Sequence, residues 1–163
     1  STIAIHFFPN DAEVLSAGGG NILLRHSQLA VTLWSASNQL RAAINTPDML
    51  NHYQELYREN SHGFQAMRES LAILANHAAH NNIRLYLIMC PDLQGLEDYR
   101  YKFVHETMKT VAAELGYEYL DLLPSLQGFA SEQIWAMPGD PHPNAFAHRL
   151  MAESIYPWLS EIE

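Results

Sequence analysis

The feature that most constrains this chain is a near-continuous apolar run of strand length, IRLYLIMC, at residues 83–90. Pro91 and Asp92 follow it directly and break it. A half-buried strand alternates apolar and polar side chains, whereas an unbroken apolar run suits a parallel strand that is covered on both faces. The run therefore predicts a parallel strand between two layers of helix.

Two more segments read as strands. Residues 3–8 are rich in β-branched and aromatic side chains and end at the turn-forming sequence Pro-Asn-Asp of residues 9–11. Residues 117–123 form a third run, which Pro124 ends. The helices lie between and after these strands. Apolar spacing and terminal residues predict one or two helices over 21–44 and a new helix start at 46–48. They also predict an amphipathic helix over 64–80 that residues 81–82 end, a helix with apolar positions from 104 to 115 that Gly116 ends, and a last helix capped by Asn144. Between the third strand and the last helix, the sequence predicts a single loop that extends to Gly139.

The alternation of strand and helix predicts one α/β domain over residues 1–163, a three-layer α/β/α fold with a mostly parallel sheet. Three strands make a small sheet, and the chain opens directly on an apolar run without Met. We therefore expect a domain that is truncated at its N-terminal side and incomplete at one sheet edge. The sequence is compatible with a cytoplasmic location and with a periplasmic or secreted one. An exposed edge predicts self-association, for example as a homodimer.

Composition excludes several classes of function. Nine Lys and Arg face eighteen Asp and Glu, and a net charge of −9 would repel a nucleic-acid backbone. Cys90 is the only cysteine, so the chain has no internal disulfide and no thiolate metal cluster. No apolar run approaches the ~20 residues that a membrane-spanning helix needs.

Ligands of open parallel sheets bind beyond the C-terminal ends of the strands. In this chain those ends lead into residues 9–11, residues 90–92 and the stretch after Leu123. We expect the functional site at this edge.

The most informative polar segment is Gly-Asp-Pro-His-Pro-Asn at residues 139–144. Pro143 forces His142 into an extended conformation, in which residues two apart point to the same side. Asp140 and His142 can thus project together, and a carboxylate beside an imidazole fixes its tautomer and stabilises the imidazolium of a general base. The alternative is a proline-rich loop whose Asp and His are solvated or cap the following helix.

Two blocks together resemble the SGNH (GDSL-type) ester hydrolases. Asp140-Pro141-His142-Pro143-Asn144 running into an amphipathic helix resembles the last block of that family, and residues 7–11 resemble its Asn block. The order of elements between the blocks also fits, so the resemblance covers essentially the whole chain. It implies an SGNH/flavodoxin-like fold, with His142 as base, Asp140 as its orienting acid and Asn10 as an oxyanion donor. Asn10 alone also fits an ordinary Pro-Asn-Asp turn.

The chain departs from the family pattern in two respects. Asp140 precedes His142 by two positions, where the commonest family spacing is three. The Gly-Asp-Ser block and the oxyanion glycine, which lie upstream of the Asn block in the family, are absent. Among the serines of the chain, Ser125 and Ser131 follow the third strand and are the least implausible substitutes, but neither sits on a strand-to-helix elbow.

The resemblance implies an ester hydrolase acting on small acyl groups, often acetyl on a carbohydrate, with no metal cofactor and its nucleophilic serine upstream of this chain. Transfer of the acyl group to a sugar hydroxyl would make the same machinery an O-acyltransferase. The rival from another class is a non-catalytic module that binds a glycan or a protein.

Other chemistry-bearing residues have ordinary alternatives. His77 and His80 could share a metal or form a solvated helix end. Cys90 suits a buried thiol, and Asp92 could touch a ligand or cap a turn. Three aromatic residues near the expected site could stack on a sugar or acyl group or pack in the core, namely Tyr99, Tyr101 and Trp135.

Overall fold

A computed structural model describes residues 1–14 and 49–160 of the chain. Its strands are β1 (Thr2–Phe7), β2 (Arg84–Met89), β3 (Glu118–Asp121), β4 (Trp135–Met137) and β5 (Asp140–Pro143). Its α-helices are α1 (Met49–Leu56), α2 (His62–Asn81), α3 (Lys102–Leu115), α4 (Leu123–Leu126), α5 (Ser131–Ile134) and α6 (Ala145–Ser160). Two short 3-10 turns, Pro9–Ala12 and Leu96–Asp98, complete the description.

The main sheet has the strand order β1-β2-β3, and both pairings are parallel. Ile5 lies opposite Leu87, and Leu87 lies opposite Tyr119, so the three strands are in close register. The C-terminal ends of β1 and β2 therefore meet at one edge of the sheet. Strands β4 and β5 form a separate antiparallel hairpin.

Helices cover both faces of the sheet. Tyr119 lies on the face that carries Leu87, and its hydroxyl donates to the backbone carbonyl of His105 in α3 over 2.9 Å. Tyr86 points to the opposite face, where its ring meets the Trp158 ring of α6 edge-on at 5.1 Å. The predicted three-layer α/β/α fold with a mostly parallel sheet is confirmed.

The centre of the molecule is the apolar run at residues 83–90. Leu87 and Met89 of β2 are completely buried, as are Val104 and Met108 of α3. Burial of a leucine-sized side chain contributes about 1.5–3 kcal/mol, so this layer supplies much of the folding free energy. It also holds the C-terminal end of β2 in a fixed place below the site.

The predicted helix ends are confirmed where the structure describes them. Asn82 ends α2 in the left-handed conformation with φ of 52°, and Gly116 ends α3 with φ of 77°. Residues 124–139 differ from the single loop that the sequence predicted, because this stretch contributes α4, α5 and β4. The helices predicted over 21–44 and the helix start at 46–48 lie outside the described residues.

Candidate functional site

Asp140 and His142 project together from β5, as the proline-flanked sequence predicts. The Asp140 Oδ1 atom contacts Nδ1 of the imidazole and also accepts the backbone N–H of His142 over 3.1 Å. An imidazole whose Nδ1–H donates to a carboxylate keeps its lone pair on Nε2. The His142 side chain is 83% exposed, so this basic nitrogen is accessible.

The pair leaves an electrostatic signature on the carboxyl group. The hydrogen bond from the His142 side chain lowers the pKa of Asp140, and the backbone N–H of His142 lowers it further. A lowered pKa means that the neighbouring groups favour the charged carboxylate, which is the form that orients an imidazole and stabilises an imidazolium.

Asn144 fixes the pair to the rest of the domain. Its side-chain oxygen accepts from the backbone N–H groups of Phe146 (2.9 Å) and Ala147 (3.0 Å), which confirms it as the cap of α6. Its amide nitrogen donates to the carbonyls of Gln133 (2.8 Å) and Trp135 (3.1 Å). One side chain therefore joins α6 to the hairpin that carries His142.

Asn10 lies in the 3-10 turn Pro9–Ala12, directly after β1, and is exposed. The turn is fixed at two points. The backbone N–H of Phe8 donates to Asp11 Oδ2 over 2.8 Å, and the buried hydroxyl of Tyr57 donates to the Pro9 carbonyl over 2.8 Å. The backbone that carries Asn10 is therefore held in place, as a hydrogen-bond donor to a developing charge requires.

His142 and Asn10 line one cavity of about 170 Å³ at the C-terminal edge of the sheet. Asp92 and Tyr53 add a carboxylate and a phenol to it. Asp140 contacts His142 but does not itself line the cavity. The remaining walls are apolar: Phe8, Pro9, Pro91, Leu93, Pro141, Pro143 and Met151.

Neither described serine candidate reaches this cavity. The Ser125 hydroxyl donates to the Leu122 carbonyl over 2.7 Å, and Ser131 is directed at the carbonyl of Leu93 at 3.5 Å. Across residues 1–14 and 49–160, no serine lines the cavity or hydrogen-bonds to His142.

The pair Tyr53 and Asp92 extends the site beyond the residues singled out as catalytic. The Tyr53 hydroxyl donates to Asp92 Oδ2 over 3.2 Å, and burial followed by the charge of Asp92 raises the pKa of Tyr53. Asp92 was a sequence candidate because it follows β2, whereas no signal marked Tyr53. Tyr53 lies in α1, which is far from any strand end along the sequence.

A second Asp–His pair lies just below the site and was also missed. His105 is 4% exposed, its Nδ1 contacts Asp121 Oδ1 at 2.8 Å, and its Nε2 contacts the Tyr99 hydroxyl at 2.8 Å. The available signal was a histidine beside Val104 in the apolar stripe of α3, because a polar group buried there needs partners.

The remaining sequence candidates fall into structural roles. Tyr99 and Tyr101 are buried and meet edge-on, with ring centroids 5.5 Å apart, so they pack instead of presenting an exposed platform. The Trp135 indole N–H donates to the Leu93 carbonyl over 2.9 Å. Cys90 is buried, and its Sγ lies 2.6 Å from Nε2 of His6. Burial raises the pKa of the Cys90 thiol.

His77 and His80 lie near the exposed end of α2, where Nδ1 of His80 contacts the Asn76 carbonyl at 2.6 Å. Within the described ranges, no group of three or more His, Cys, Asp or Glu side chains is arranged to hold a metal ion. Nor does any described helix have the length and apolar character to cross a membrane.

Comparison with the models of known protein families, with curated proteins and with solved structures gives no match. The arrangement of the side chains therefore carries the functional argument.

Proposed function

We propose that this chain carries the base, the orienting acid and one oxyanion donor of a serine ester hydrolase of the SGNH type. His142 is the base, Asp140 orients it and Asn10 is the donor. The nucleophile is a serine from a segment that precedes Ser1. The observation that supports this most is that His142, with its carboxylate on Nδ1, and Asn10 line the same cavity at the strand ends.

The proposed reaction uses these groups in two halves. The serine oxygen bonds to the acyl carbon while its proton passes to Nε2 of His142, and the carbonyl oxygen becomes an oxyanion that accepts a hydrogen bond from Asn10. Collapse breaks the bond to the alcohol, which leaves with the proton from His142. Water then attacks the acyl-serine by the same route and releases the acid.

The size of the cavity favours a small acyl group. A volume of about 170 Å³ suits acetyl and similar groups better than a long lipid chain. The proposed substrates are thus small acyl esters of a sugar or another alcohol. An added sugar that accepts the acyl group in place of water would identify the same site as an O-acyltransferase.

The test compares p-nitrophenyl acetate turnover by this chain with turnover by the chain extended upstream through the next Gly-Asp-Ser sequence. We expect activity in the extended protein only, its abolition by His142→Ala, and retention in the control His148→Ala, because His148 is an exposed α6 residue outside the cavity. Turnover that survives His142→Ala would refute the assignment of the base.

One observation favours a second candidate, a binding module that retains the scaffold without catalysis. The cavity is formed without a serine in the described part of the chain. If the extended protein turns over no ester but the cavity still binds ligands, this second function replaces the first.

We also propose that the protein self-associates through β1, which lies at one edge of the described sheet. Edge strands present unpaired backbone groups that template pairing with another chain. Light scattering should show a dimer at working concentration, and Ala4→Lys, a charge on an exposed β1 position, should weaken it. A monomer at the same concentration would refute self-association.

A further inference from the structure

The cavity that holds His142 contains a second carboxylate, which the proposed hydrolysis does not use. Asp92 follows β2 and lines the same cavity as Asn10 and His142. Its Oδ1 accepts the backbone N–H of Gln94 over 2.9 Å and its Oδ2 accepts the Tyr53 hydroxyl over 3.2 Å. A carboxylate has about four lone-pair positions, so two acceptor positions remain.

The charges in the cavity are not balanced. Among the lining residues that the structure describes, His142 is the only one whose side chain can become a cation, and its carboxylate partner is Asp140. Both partners of Asp92 are neutral donors, and no ion pair involves it within the described ranges. A carboxylate between apolar walls without a positive partner attracts a cation from solution.

Asp92 is also held from below. Its backbone N–H donates to the Tyr99 hydroxyl over 3.1 Å, and that hydroxyl contacts Nε2 of His105 at 2.8 Å. Nδ1 of His105 in turn contacts Asp121. If Nδ1–H donates to Asp121, Nε2 accepts the Tyr99 proton and every group in the chain has a partner.

The aromatic surroundings make this support stiff. The ring of Tyr101 stands edge-on to both Tyr53 (5.0 Å) and Tyr99 (5.5 Å), so the two tyrosines that contact Asp92 are packed on a common neighbour. Sites that discriminate between ligands hold the recognising group in one position before the ligand arrives.

We propose that Asp92 binds an ammonium group of the ligand, and that the hydrogen-bonded series Tyr99–His105–Asp121 positions Asp92 for it. The cavity then selects ligands in which a positive charge lies a few bonds from the group presented to His142. The inference rests on the proposed function only for the ester part of such a ligand, because binding of the ammonium group requires no turnover.

The test is a set of three probes with equal carbon chains, namely butylammonium, 1-butanol and butyrate, titrated into this chain by NMR at fixed salt. A hydrogen bond to a charged partner predicts about tenfold tighter binding of butylammonium than of butanol, and no binding of butyrate. Asp92→Asn should abolish the preference. The control Asp98→Asn removes the same charge from an exposed position of the same loop and should preserve it.

The positioning role has its own readout, the ratio of butylammonium to butanol affinity. Tyr99→Phe should lower this ratio about threefold. The control Tyr117→Phe should leave it unchanged, because the buried Tyr117 hydroxyl donates to the Leu71 carbonyl, away from the cavity. A ratio that Tyr99→Phe does not change would overturn the positioning role.

The other outcomes separate the hypotheses. Equal binding of butylammonium and butanol overturns the inference. A preference for butylammonium that persists in Asp92→Asn also overturns it and attributes that preference to the overall charge of −9. Preference without ester turnover in the upstream-extended protein leaves the inference standing and refutes the hydrolase. If Asp92→Asn does not fold, titration of the wild type decides through the shifts of the cavity residues Leu93 and Met151. Saturable shifts with tighter binding of butylammonium than of butanol support the site, and equal affinities or no shifts overturn it.

Discussion

Substitution of Gly63 by alanine tests how the turn that carries Asn10 is held. Gly63 lies in the first turn of α2, buried against the Pro9–Ala12 turn. A Cβ atom placed there would lie 2.2 Å from the backbone oxygen of Ala12 and 3.2 Å from Cδ1 of Leu56. The leucine can adjust its rotamer, but a backbone oxygen moves only with the whole turn.

Two effects with opposite signs determine the result. Helix propensity alone predicts that Gly63→Ala stabilises the protein by about 1 kcal/mol. Overpacking costs about 1–3 kcal/mol, and a clash with backbone belongs at the upper end. We therefore expect a net loss of about 2 kcal/mol, which for a chain of this size lowers Tm by about 4–8 °C.

The measurement is urea unfolding of the wild type and the variant, with Ser70→Ala as the matched control. Ser70 is exposed on the same helix, so its replacement changes helix propensity without a clash and should stabilise the protein by about 0.5 kcal/mol. The Asn10 amide signals should shift in Gly63→Ala and not in the control. An unfolding midpoint of Gly63→Ala equal to or above the wild type would refute the close approach of α2 to this turn.

Three further predictions address the surroundings of the site. Tyr57→Phe removes the buried hydrogen bond to the Pro9 carbonyl and should cost about 1–3 kcal/mol in urea unfolding, and an unchanged midpoint would contradict that bond. An NMR titration should give Asp140 a pKa below its ordinary value, so the stabilising interaction with His142 is complete above the ordinary pKa and is lost as pH falls through the lowered pKa. His142→Ala should raise the pKa of Asp140 towards its ordinary value, and an unshifted pKa in the wild type would count against the pair. Cys90, the only thiol, should react with a disulfide reagent only after unfolding, since burial shields it and raises its pKa, and rapid reaction of the folded protein would disprove this.

The parts of the fold that could be predicted from sequence are those with strong local signals. The run at 83–90 and the helix over 64–80 each contain enough apolar positions to indicate their own secondary structure. The capping role of Asn144 is predictable because an amphipathic helical pattern begins directly after it. The Asp140–His142 pair is predictable for the same reason, since two prolines and a spacing of two determine its geometry locally.

The missed parts depend on contacts between distant residues. The helices α4 and α5 have four residues each and are held by tertiary bonds, such as the one from Asn144 to the Gln133 carbonyl. The partnership of Tyr53 with Asp92 joins residues 39 positions apart. No local pattern encodes such a pairing, because only the completed fold brings α1 to the end of β2.

The described part of the chain contains two Asp–His pairs with the same chemical contact, and their surroundings determine which one can act as a base. In both, a carboxylate oxygen meets Nδ1 of the imidazole. Nε2 of His105 is engaged by the Tyr99 hydroxyl inside the core, so this imidazole has no nitrogen left for a substrate and serves to hold Asp92. His142 is exposed, and its Nε2 has no protein partner within the described ranges. A general base needs an accessible lone pair as well as an orienting acid, so the proposed chemistry belongs to His142 and the support belongs to His105.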